Sequence, residues 1–97
     1  MKVFITDGTT EGFYTAVFYA YAEKGSVITS QENRQLSFDT EIINVISDYE
    51  KAARVRARLD KLDRYASGDI DLALRSGDSL KEQAAFEYIK LIIQNGR

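Results

Sequence analysis

Lys2-Val3-Phe4-Ile5-Thr6 runs directly into Asp7-Gly8-Thr9-Thr10-Glu11-Gly12-Phe13, and the reading of this junction decides the fold. The first five residues are a short β-type run. Asp7-Gly8-Thr9-Thr10 is a turn and helix-entry signal, in which a threonine hydroxyl caps the orphan N–H groups and Glu11 suits the positive end of the helix dipole. From there to Lys24 the pattern is helical. Phe13, Ala16, Val17, Ala20 and Tyr21 recur at i, i+3, i+4, i+7 and i+8, with Tyr14 and Phe18 widening the apolar arc. Gly25 is placed to end this helix. Ser26–Thr29 then reads as a second strand, so the opening predicts a βαβ unit with parallel pairing.

Downstream of this unit, Gln31–Gln35 is polar and reads as a loop, and Leu36–Phe38 as a brief extended piece. Glu41–Ile46 is rich in β-branched residues and reads as a third strand, with a helix starting at Thr40 as the competing reading. Ser47-Asp48-Tyr49-Glu50 fits a capping box and opens a helix to about Arg64, with Ala52, Val55, Leu59 and Leu62 as its core stripe. Gly68 and Gly77 bracket a short piece, Asp69–Ser76. Ser79 and Glu82 make a second capping box. The last helix puts Leu80, Ala84, Tyr88 and Leu91 in line, with Gly96 as its stop. The predicted architecture is one α+β domain over residues 1–97. A small two- or three-stranded sheet is covered by three longer helices and one short helix.

Composition narrows the chemistry. Ninety-seven residues leave room for a single core. Histidine and cysteine are both absent, which excludes disulfides, thiolate zinc sites, a cysteine nucleophile and a histidine-dependent triad within the chain. The net charge of −2 excludes a globally basic coat but not a local basic patch. No apolar run approaches a membrane span and no signal-peptide pattern opens the chain, so the expected address is the cytoplasm.

Three sets of residues are candidates for binding. The first is the turn Asp7, Gly8, Thr9, Thr10, Glu11 and Gly12, where a helix N-terminus turns N–H groups outward. It lacks the second glycine, lysine and hydroxyl of a P-loop, and its two carboxylates repel phosphate. The second is a basic stripe, Lys51, Arg54, Arg58 and Lys61, on one face of the second long helix. Local acids compete for it: Glu50 with Arg54, Asp60 with Arg64 and Asp48 with Lys51. The third is aromatic. Tyr19 falls off the apolar arc and is the best placed for stacking on a base or ring. Asp7, Glu11 and Asp39 do not have a diagnostic cation spacing, and no catalytic residue, metal or cofactor is expected.

Phe4-Ile5-Thr6-Asp7-Gly8-Thr9-Thr10-Glu11-Gly12-Phe13, followed by Ala16-Val17-Phe18 and Ala20-Tyr21, resembles the opening of a bacterial domain-of-unknown-function family described as probable DNA metabolism proteins. Lys51–Val55 is similar to that family's second helix and Glu87–Lys90 to its Tyr-Ile helix. The resemblance is to the family's N-terminal part, with Thr6 where the family usually has Tyr. It implies a setting beside a radical-SAM protein of DNA modification or repair, with some members fused to a uracil-DNA-glycosylase-like domain. It implies no catalytic residue.

The expected function is therefore a non-catalytic binding module associated with DNA metabolism. Its basic helix face would contact a protein partner or nucleic acid. The alternative is a small free-standing inhibitor or ligand-sequestering protein, for example phage-encoded. That alternative would act as a homodimer and use the Asp7–Glu11 turn.

Overall fold

The computed structural model describes residues 2–23, 25–30, 40–77 and 80–95. The expected loop at Gln31–Gln35, the extended piece at Leu36–Phe38, Asp39, the Ser79 cap and the Gly96 stop lie outside the described residues. The chain builds β1 (Lys2–Ile5), α1 (Thr10–Ala20), β2 (Val27–Thr29), β3 (Glu41–Asn44), α2 (Tyr49–Leu62), α3 (Ala66–Leu74) and α4 (Lys81–Asn95). Among the described residues this is an α+β fold with four helices and a small parallel sheet, in the order β2-β1-β3.

The central strand follows from its composition. Val3, Phe4 and Ile5 are all buried, the continuous apolar run of a strand covered on both faces. Phe4 is in register with Ile28 of β2 and Ile43 of β3, and all three join the main core. β3 is an edge strand, with Glu41, Ile42 and Asn44 exposed. The helical alternative for this segment is not realised. The strand ends at Asn44 rather than Ile46, although the Val45 N–H still reaches the Ile5 carbonyl at 2.8 Å.

Helix α1 is the core's main contributor. Phe13, Tyr14, Ala16, Val17 and Ala20 are each no more than 1% exposed. The helix stops at Ala20, short of the expected Lys24. The Ser26 hydroxyl donates to the carbonyls of Ala20 (3.0 Å) and Glu23 (2.8 Å), which satisfies the helix end and bends the chain. Gly25, at φ +74°, sits in the left-handed region that glycine enters without strain.

Three expectations are corrected. The N-cap of α2 is Asp48, not Ser47. The Asp48 carboxylate accepts from the Glu50 and Lys51 N–H groups, and Ser47 is used elsewhere. Gly68 lies inside α3 rather than before it, because burial of Ala66 and Ile70 outweighs one glycine in a helix. Helix α4 buries Glu82, Ala85, Phe86, Ile89 and Ile93, whereas Leu80, Ala84, Tyr88 and Leu91 are exposed. Two sets share helical spacing there, and the one carrying Phe86, Ile89 and Ile93 brings more apolar bulk to the core.

Candidate functional site

The first candidate region is the turn after β1. Asp7 lies beyond the carboxyl end of β1, and Ser47 beyond that of its neighbour β3. Crevices open at such strand ends in parallel sheets. Here the position is filled from within. Asp7 Oδ1 accepts from the Thr9 N–H (3.0 Å) and the Thr9 hydroxyl (2.6 Å), and Asp7 Oδ2 accepts from the Ser47 hydroxyl at 2.9 Å. Thr9 is also the N-cap of α1, accepting the Gly12 N–H at 3.0 Å. The Thr9 hydroxyl first, and then its N–H, hold the Asp7 carboxyl below the usual carboxylate range; Ser47 adds to this while burial opposes it.

Glycine at position 12 leaves the space that the Asp7 carboxylate occupies. A Cβ there would strike Asp7 Oδ1 and lie 3.1 Å from both the Ser47 and Thr9 hydroxyl oxygens. Gly8, at φ +85°, makes the turn itself, and its N–H donates to the Thr6 hydroxyl. Thr10 and Glu11 are half-buried in the first turn of α1. Behind them the fully buried Thr15 bridges the helices. Its hydroxyl donates to the carbonyls of Glu11 (2.7 Å) and Asp48 (3.2 Å) and accepts the Asp48 N–H (3.0 Å). The turn from Asp7 to Gly12 is thus a clasp that fixes the start of α1 against the start of α2.

The second candidate region is the face where α1 and α2 lie side by side. The basic stripe divides there. Lys51 is committed: its ammonium pairs with Asp48 at 3.1 Å and sits 5.6 Å from the Phe18 ring centroid and 5.9 Å from that of Tyr19. The Lys51 N–H and ammonium hold Asp48 below its ordinary range, and Asp48 holds Lys51 above its own. Arg54 and Arg58 make no ion pair or hydrogen bond among the described residues. The anticipated Glu50–Arg54 and Asp60–Arg64 pairs do not form, and Arg64 turns to the Tyr65 hydroxyl instead. Lys61 is exposed and likewise unpaired among the described residues.

Arg54 and Arg58 edge a groove of about 230 Å³ whose remaining lining is Val17, Phe18, Tyr21, Val55 and Ile93. Among the described residues, no acidic side chain lines it. A second groove, of about 370 Å³, follows β3 and contains Lys2 and Glu23. Those two charges pair with each other at 3.0 Å, so that groove has little unspent charge.

Tyr19 is 44% exposed, in keeping with its place off the apolar arc. Its ring packs edge-on to Phe18, with Lys51 close to both. Sequence reasoning passed over Phe18, Tyr21, Val55 and Ile93 as groove residues, because each carries ordinary core spacing. It also missed a partly exposed ion pair over the buried Tyr14, between α1, α2 and α3. The Arg56 guanidinium pairs with Asp71 at 3.3 Å and covers the Tyr14 ring at 5.1 Å. Burial first, and then Asp71, hold the Tyr14 phenol well above its usual range.

Among the described residues, no three His, Cys, Asp or Glu side chains gather closely enough to hold a metal ion. No helix among them is long and apolar enough to cross a membrane. Compared with known proteins, the chain matches no family model, no curated protein and no solved structure.

Proposed function

We propose that this chain is a non-catalytic binding module of DNA metabolism that contacts an acidic macromolecule, a protein partner or nucleic acid, through the α1–α2 face. The observation that carries the reading is the pair Arg54 and Arg58, unpaired among the described residues at the edge of an apolar groove. Apolar floor with arginine at its margin is the composition of interaction surfaces, where arginine and aromatic residues are enriched. The DNA-metabolism setting is supported by the resemblance of Phe4–Phe13 and of the helix from Lys51. The ligand-sequestering alternative has less support, since the carboxylate and hydroxyls of the Asp7 turn are engaged with one another.

The test is a fluorescence-anisotropy titration at low and at physiological salt. Labelled single- and double-stranded DNA and labelled acidic peptides are compared on the wild type and on Arg54→Glu/Arg58→Glu. The reading expects at least one probe to bind, to weaken steeply with salt and to be lost in the variant. Binding by none of them at low salt would overturn it.

A further inference from the structure

Resting on that reading of the α1–α2 face, we infer that its groove takes a short acidic-apolar segment of a protein partner. The segment's apolar side chains lie on Val55, Phe18 and Tyr21, and its carboxylates on Arg54 and Arg58. Charge complementarity selects the sign of the occupant: two guanidinium groups edge the groove, and among the described residues no carboxylate lines it. Geometry selects its spacing. Arg54 and Arg58 are four residues apart on α2, about 6 Å along the helix axis. Carboxylates one turn apart on a docked helix match this, as do alternate residues of an extended segment, about 6.6 Å apart. Arginine's planar fork suits carboxylates in either arrangement.

Val17 and Ile93 lie in the core beneath the groove, and its accessible apolar lining is the half-buried Val55 with the exposed rings of Phe18 and Tyr21. Phe18 is not a free stacking platform, since its ring meets Tyr19 edge-on and lies under the Lys51 ammonium. Arg54, Arg58 and Lys61, the stripe's cations left unpaired among the described residues, make a weak phosphate track on a chain of net charge −2, since such affinity scales with the number of phosphates neutralised.

A displayed library of short random peptides, selected on the wild type and counter-selected on Arg54→Glu/Arg58→Glu, tests this directly. Enriched sequences should combine paired acidic residues with large apolar ones. They should lose about tenfold or more in affinity on the double variant. Lysine-for-acid versions of the same peptides should recover binding to that variant. Val55→Ala, which leaves the charges in place, should weaken them about threefold to tenfold. Absence of enrichment, or enriched peptides without acidic residues, would overturn the inference. Oligothymidylate is titrated in parallel. If it binds through Arg54 and Arg58 while the library yields nothing, the face is a binding surface but its occupant is nucleic acid. If neither engages, the reading of the face falls as well.

Discussion

The Asp7 turn and the α1–α2 groove both bring charged and polar side chains to the surface, and they use them in opposite ways. At the turn, the Asp7 carboxylate is occupied by Thr9 and Ser47, and Thr9 also caps α1. At the groove, Arg54 and Arg58 make no ion pair among the described residues and stand beside the exposed rings of Phe18 and Tyr21. Charge spent inside the molecule holds the fold. Charge left over at an apolar margin is available to a partner. The two regions are also linked, because the clasp and Thr15 set the positions of the helices that form the groove.

The contrast makes ordered predictions. The largest effect is expected of Gly12→Ala, in which the new methyl displaces the Asp7 carboxylate from its partners. Alanine's better helix propensity offsets only about 1 kcal/mol. A net loss of about 2 kcal/mol is expected in chemical unfolding. Next is Thr9→Ala, which removes the α1 cap and one Asp7 donor, for a loss of about 1 kcal/mol by the same measurement. Because the clasp also positions the helices that form the groove, both substitutions should weaken binding there, by less than Arg54→Glu/Arg58→Glu does, at temperatures where the variant remains folded.

A smaller effect is expected from pH. Asp7 and Asp48 have folded-state values below their unfolded ones. Their contribution is therefore complete above about pH 4 and is lost as pH falls through the lower folded values. Lys51 is raised, so its share is complete below the usual lysine range and lost as pH rises through the folded value. Both slopes are shallow, since Asp7 is exposed and the Asp48 and Lys51 side chains are each about a third exposed. Thermal melts across pH should show the acid limb flattened in Asp7→Asn, and both limbs flattened in Asp48→Asn. The smallest effect on folding is expected of Arg54→Glu/Arg58→Glu, within about 0.5 kcal/mol of the wild type.

Local features were legible in the sequence. The strand-to-helix junction, the capping role of Thr9, the α2 stripe through Ala52 and Leu59, the Asp48–Lys51 pair and the exposure of Tyr19 all follow from spacing and residue type. What escaped was non-local. Nothing near Asp7 in the chain says that β3 will lie beside β1 and deliver Ser47, a residue forty positions away, to its carboxylate. With the Ser47 hydroxyl on Asp7, the cap of α2 is made by the next residue, Asp48. The buried face of α4 was missed because two apolar sets share one period, and only the assembled core chooses between them. The groove was hidden for the same reason, since Ile93 reaches Val17 and Val55 only after α4 docks. Local acids around the basic stripe were legible as well, but which pairs close depends on side-chain directions that spacing does not fix.

Urea unfolding of Gly12→Ala beside Arg54→Glu/Arg58→Glu tests the central contrast most directly. The prediction is a clear drop in midpoint for the glycine variant and a midpoint indistinguishable from wild type for the double arginine variant. A wild-type midpoint for Gly12→Ala, or a loss of 2 kcal/mol or more for the arginine pair, would contradict the division between a clasp that holds the fold and a face held in reserve for a partner.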